Sequence, residues 1–254
     1  MPLGLPDSVR GFLFDMDGVL TRTASVHAAA WKETFDDFLR ARDGAAFVPF
    51  DAHTEYDLYV DGRTRLDGTR AFLASRGIEL PEGSPADRPG RATVEGLSNR
   101  KNQLVLEILR RDGVQVFDDA VRYVRAVKAA GYPRAVVSAS ANTAQVLDAA
   151  GIAGLFDARV DGVVAAARRL AGKPAPDMFL AGADLIGVPP AASAVFEDAL
   201  AGVEAGRAGR FACVVGVDRV GQAGALREHG ADLVVSDVAS LLGAGGPEVG
   251  EGAG

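Results

Sequence analysis

The run at residues 9–14 (Val-Arg-Gly-Phe-Leu-Phe) ends abruptly on Asp15-Met16-Asp17-Gly18. A short, mostly apolar run with no alternating polar face, closed by charge, is the mark of a strand buried on both faces. Such strands belong to parallel sheets, whose neighbours need crossover connections and whose two faces need helices. Comparable runs recur at residues 134–137, 193–196, 211–217 and 232–235. Helix-length segments with apolar residues three and four apart separate them, at 118–130, 142–150 and 177–186. Each of these stops at a glycine, Gly131, Gly151 or Gly187, where a left-handed cap residue is wanted. Alternating strands and helices predict an α/β doubly wound parallel sheet.

Residues 20–110 break that alternation. Helical periodicity is present at 24–42, 68–76 and 98–111 without a clear strand, and the stretch 77–96 is rich in Pro, Gly, Glu and Arg, as surface loops are. The expected organisation is a catalytic core of residues 1–19 and 111–254 with an inserted α-helical cap domain at 20–110. Residues 243–254, rich in Gly, Ala and Glu without periodicity, are expected to form a frayed tail.

Charge and composition narrow the partners. The balance of 27 basic and 34 acidic residues gives a net charge of -7, with no run of Lys or Arg suited to a phosphate backbone, so nucleic acid is not an expected partner. No stretch approaches the roughly 18 apolar residues a membrane span requires, and no secretory leader pattern opens the chain; neither membrane association nor export is expected. The single cysteine, Cys213, lies inside an apolar run and reads as a buried strand residue; a cytoplasmic location fits.

In open α/β sheets ligands bind beyond the carboxyl ends of the strands, so the polar residues that close each run are the ones to collect. They are Asp15 and Asp17; Ser138-Ala139-Ser140-Ala141-Asn142; Lys173, ahead of the helix near Asp177; and Glu197-Asp198. Four carboxylates at neighbouring strand ends are tolerable around a hard cation such as magnesium. Lys173, Ser138 and Asn142 supply donors for an incoming phosphate.

These residues resemble a known set. Phe12-Leu13-Phe14-Asp15-Met16-Asp17-Gly18-Val19-Leu20, Ser138-Ala139-Ser140, Lys173-Pro174-Ala175-Pro176-Asp177 and Phe196-Glu197-Asp198 are similar, in order and separation, to the four motifs of the haloacid dehalogenase superfamily. The resemblance implies that Asp15 is a phosphoryl-accepting nucleophile and Asp17 the acid/base. It implies that Mg2+ is held by Asp15, Asp198, the backbone carbonyl of Asp17 and, directly or through water, Glu197, and that Lys173 and Ser138 orient the phosphoryl group.

Thr23, His27, Trp31, Arg65 and Arg100-Lys101-Asn102 match those that set β-phosphoglucomutases apart from phosphatases with the same core. By that resemblance His27 and Lys101 couple cap closure to Asp17. His27 and Trp31, four apart, share a helix face. In Asp61-Gly62-Arg63-Thr64-Arg65, Gly62 permits close backbone approach, and Arg65, with Ser140 and Asn142, is implied to hold the phosphate that is not transferred.

The implied reaction interconverts β-D-glucose 1-phosphate and glucose 6-phosphate through glucose 1,6-bisphosphate. The implied partners are a phosphosugar, a bisphosphate activator and, metabolically, a disaccharide phosphorylase. A Mg-dependent sugar-phosphate phosphatase is the first alternative; a non-catalytic phosphosugar-binding module is a second, disfavoured because every core catalytic position is filled. Two departures bear on the sugar. Ala141 stands where a second-site lysine is common, and residues 47–61 form a longer, more aromatic segment than the pattern leads one to expect.

Overall fold

A computed structural model describes residues 3–245, so most of the expected tail lies outside the described residues. Six strands, β1 (Gly11–Phe14), β2 (Arg134–Val137), β3 (Ala158–Val160), β4 (Ser193–Glu197), β5 (Cys213–Val217) and β6 (Leu233–Val235), form one parallel sheet in the order β3-β2-β1-β4-β5-β6. The chain runs outward from β1 to β3, then returns to the other side of β1 for β4. The crevice of this doubly wound sheet therefore opens between the carboxyl ends of β1 and β4, and Asp15 and Asp198 follow those two strands directly.

Both faces of the four central strands are dry, as the unalternating runs require. On one face Leu13, Ala135, Val137 and Val195 pack with Met178 and Phe179 of α7 (Asp177–Leu185) and Val203 of α8 (Leu200–Ala208). On the other, Phe12, Phe14, Val136 and Phe196 meet Tyr123 of α4 (Asp118–Ala129) and Val146 of α5 (Thr143–Ala149). Phe14 stacks on Phe196 with ring centroids 4.5 Å apart, tying the two strands that flank the crevice. Gly131, Gly151 and Gly187 all have φ between +68° and +76°, as their positions after helices predict. Cys213 is buried. Among the described residues no helix is long and apolar enough to cross a membrane.

Two elements were not expected. β3 is an edge strand of three residues with Arg159 at its centre, too short and too polar to register as an apolar run. It is followed by α6 (Gly162–Arg168), capped by Asp161, whose carboxylate accepts from the amides of Val163 and Val164.

Between β1 and α4 the chain forms α1 (Ala24–Asp43), a wide turn at Tyr56–Val60, α2 (Arg65–Ser75) and α3 (Val94–Asp112). They surround their own cluster, in which Phe35 lies flat between Trp31 and Phe72 at centroid distances of 4.8 and 4.0 Å. α2 starts three residues earlier than its periodicity predicts and α3 four. The reason is N-capping: Thr64 accepts from the amide of Asp67 and Thr93 from that of Gly96. Where the chain leaves and rejoins the core, Thr21 pairs with Val116, and Phe117 N–H donates to the Leu20 carbonyl at 2.9 Å.

Candidate active site

Asp15 follows β1, and its amide donates to the Phe196 carbonyl at 2.9 Å, so the sheet ladder fixes the backbone beneath the carboxylate. Its Oδ1 accepts from Lys173 Nζ at 2.5 Å, and the same ammonium donates at 2.5 Å to Oε1 of Glu197. The other Glu197 oxygen accepts from Ala199 N–H at 3.0 Å. Lys173 was expected to face the phosphoryl group; the structure engages it first with two carboxylates, one from each strand of the crevice.

Oxygens of Asp15, Glu197 and Asp198 lie within 4.8 Å of one another. Burial raises the Asp15 carboxyl against the pull of Lys173, with Glu197 and Asp17 pushing the same way, and it raises Asp198 with help from Asp61 and Glu197. A buried all-oxygen set short of positive charge fits a hard cation rather than zinc. Gly18 is part of the same design. It has φ +86°, and any side chain there would collide with the Asp198 carboxylate.

Asp17 belongs to a different network. Its carboxylate accepts from Thr23 Oγ1 and, at 3.2 Å, from Ser138 Oγ, and His27 Nε2 lies 3.4 Å from Oδ1. Burial opposes its charge, but His27, Thr23 and Lys101 together hold it below the usual carboxylate range. His27 Nδ1 is 2.7 Å from Lys101 Nζ, which reaches across from α3 to α1 and sits 4.9 Å from the Trp31 ring centroid. Burial pushes the Lys101 amine down to about 7 despite the attraction of Asp17. A continuous path thus joins Lys101, His27 and Asp17.

These groups face a partly open cavity of about 300 Å³ between the helical segment and the sheet. Asp15, Asp17 and Asp198 line its floor. From the helical segment His27, Trp31, Gly62, Arg65 and Lys101 line the cavity, and from the loop after β2 Ala139, Ser140 and Asn142. Thr23, Ser138, Lys173 and Glu197 stand one layer behind, buried. The Arg65 guanidinium is half satisfied: Nη1 donates to Asn102 Oδ1 at 3.4 Å, while Nε is buried without a partner. Asn142 Nδ2 donates to the same Asn102 oxygen at 2.9 Å, so Arg65, Asn102 and Asn142 meet across the cavity rim.

Among the lining residues not singled out as site residues from sequence are Tyr56 and Asp61. Burial, followed by Glu197, raises the Asp61 carboxyl to about 7, while Tyr56 and the Gly62 amide pull it back. Tyr56, 8% exposed, is raised well above the phenol range by burial and then by Asp61. They flank a turn of wide pitch, so neither a helix nor a strand period pairs them in the sequence.

The comparisons with known proteins agree with this geometry. The haloacid dehalogenase-like hydrolase family matches residues 9–210. The chain is 57% identical over 246 residues to β-phosphoglucomutases of Mycobacterium tuberculosis and Mycobacterium bovis, covering 94% of each sequence. This chain belongs to the β-phosphoglucomutase family of the haloacid dehalogenase superfamily. It is 31% identical over 238 residues to the β-phosphoglucomutase of Bacillus subtilis, covering 92% of both. The β-phosphoglucomutase structure from Clostridium difficile superposes with a TM-score of 0.70 at 25% identity, over 92% of this chain and 93% of that one. It is accordingly a phosphoglucomutase-like enzyme, and its buried acidic cluster is able to hold a metal ion.

Proposed function

We propose that the protein is a magnesium-dependent mutase interconverting β-D-glucose 1-phosphate and glucose 6-phosphate through an aspartyl-phosphate enzyme and a glucose 1,6-bisphosphate intermediate. The observation that carries this reading is an unsatisfied cationic donor lining the same cavity as Asp15. The Arg65 guanidinium, with its buried, unpartnered Nε, lines that cavity together with Asp15, Ser140 and Asn142. A buried donor left unsatisfied costs about 1–3 kcal/mol, which an arriving phosphate oxygen would recover. Two phosphate positions in one cavity are what a bisphosphate intermediate requires.

In this reading Asp15 attacks phosphorus, and Lys173 and Ser138 orient the transferring group. Asp17 protonates the leaving oxygen, then takes the proton from the accepting hydroxyl; its place at the end of the Lys101–His27 path ties that transfer to the position of the helical segment. Magnesium would be held by Asp15, Asp198, the Asp17 carbonyl and, directly or through water, Glu197, where it would neutralise charge on the transferring group. Residues 20–110 serve as a cap that excludes water, so the aspartyl phosphate meets sugar rather than solvent. The substrate is of the kind that phosphorolysis of a disaccharide releases.

The test is a coupled assay with β-glucose 1-phosphate, catalytic glucose 1,6-bisphosphate and magnesium, measuring glucose 6-phosphate against free phosphate. Glucose 6-phosphate is expected as the main product. Free phosphate as the main product would establish the phosphatase alternative instead.

A further inference from the structure

Asp61 is a half-buried carboxylate that lines the cavity, and no ion pair engages it among the described residues. Its own turn supplies Gly62 N–H to Oδ1 at 3.1 Å, and the Tyr56 hydroxyl is its other polar neighbour. Two contacts leave a carboxylate, which has about four lone-pair sites, acceptor capacity for a ligand in the cavity. The turn is held firmly. Gly62 has φ +68°, and a Cβ there would lie only 3.0 Å from that of Ala199, the residue after Asp198. On the far side of the turn, a Cβ at Gly172 would lie 3.0 Å from the Asp67 carboxylate and 3.2 Å from the Thr64 methyl. The turn and the helix start that follows it are therefore packed against the core at Ala199 and at Gly172.

The ligand's chemistry follows by elimination. Asp61 is not among the carboxylates whose oxygens converge within 4.8 Å to hold a cation. A phosphate is excluded by charge repulsion. What remains is a neutral donor on a ligand held in the cavity that Asp61 lines together with Asp15 and Arg65, and the hydroxyls of a phosphosugar ring are such donors. We propose that Asp61 is a specificity-determining residue that accepts a hydrogen bond from one non-reacting ring hydroxyl of the bound sugar phosphate. This rests on the phosphosugar reading above and names the group that selects among sugars.

The experiment is a cycle of Asp61→Ala against analogues of β-glucose 1-phosphate in which each non-reacting ring hydroxyl is removed in turn. Total consumption, isomer plus free phosphate, gives kcat/KM. Losing a hydrogen bond to a charged group should lower kcat/KM for the parent sugar about 10- to 150-fold. One deoxy analogue should show the same loss with the unmodified enzyme, and little further loss, within about twofold, with Asp61→Ala. The inference is overturned if Asp61→Ala keeps the unmodified kcat/KM, or if its losses multiply with those of every analogue. Should the alanine variant fail to fold, Asp61→Ser, too short to reach the ring, takes its place in the same cycle. Because consumption is scored irrespective of product, a chain that hydrolyses rather than isomerises still reports on Asp61, and failure of the mutase reading appears in the product ratio alone.

Discussion

Replacing Lys173 by methionine keeps the length of the side chain and deletes one charge from the best-buried ionic contact in the molecule. The ammonium is 2.5 Å from both Asp15 and Glu197, and none of the three side chains is more than 8% exposed. Removing one partner of such a group strands the others, at a cost of about 3–5 kcal/mol. For a chain of this size each kcal/mol moves the melting temperature by about 2–4 °C, so Lys173→Met should melt about 6–20 °C below the unmodified protein in chelator near pH 8. The pH dependence has a definite sign. Asp15 already binds its proton more tightly folded than unfolded, and without Lys173 it does so more strongly. The folded state then holds more protons than the unfolded one at neutral pH, so the deficit should shrink as pH falls toward 5 and the carboxyls are neutralised. Glu197→Gln in the Lys173→Met background should recover part of the loss, as should excess magnesium. Thermal denaturation followed by circular dichroism, with chelator and with magnesium at both pH values, reads all of these. A Lys173→Met protein within about 1 kcal/mol of the original in chelator near pH 8 would refute the argument.

Asp17→Asn should slow phosphoryl transfer about 10²- to 10⁴-fold, measured by rapid quench; an unchanged rate would place the acid/base elsewhere. Arg65→Ala should weaken sugar-phosphate binding by about 1.5–3 kcal/mol and raise KM roughly tenfold or more, and unaltered saturation kinetics would remove Arg65 from the second phosphate site. Lys101 has its folded pKa lowered to about 7, so its charge costs stability below that pH, and the cost fades as pH rises toward the unfolded value. Lys101→Met should therefore stabilise the metal-free protein at pH 6 by about 2–3 kcal/mol more than at pH 9, by urea unfolding; equal gains at the two pH values would show that burial does not lower Lys101.

The sheet was legible because β1, β2, β4 and β5 are buried on both faces and must be written in apolar residues, while β3, with Arg159 at an edge, has no such obligation. Helix starts were blurred where Thr64 and Thr93 cap segments whose first turns break the apolar pattern with Asp67 and Gly68, and with Glu95 and Gly96. Asp15, Asp17, Glu197 and Asp198 could be found because strand ends converge at a switch point. The double engagement of Lys173 could not be read: its partners are 158 and 24 residues away, and nothing local to Lys173-Pro174 separates a phosphate ligand from a carboxylate clamp. Asp61 was passed over because its meaning depends on Ala199 pressing against Gly62, a contact between distant parts of the chain.

The central place of β1 has a consequence during synthesis. Both neighbours of the second-shortest class of strand in the sheet are made late: β2 begins at Arg134 and β4 at Ser193, while β1 ends at Phe14. At about 5–20 residues per second, an apolar strand with both edges bare leaves the ribosome about 10–40 seconds before its second neighbour exists. The helices from Ala24 to Asp112 gather their own aromatic cluster in that interval. The inserted segment is thus complete while the scaffold it interrupts is still waiting for its halves to meet.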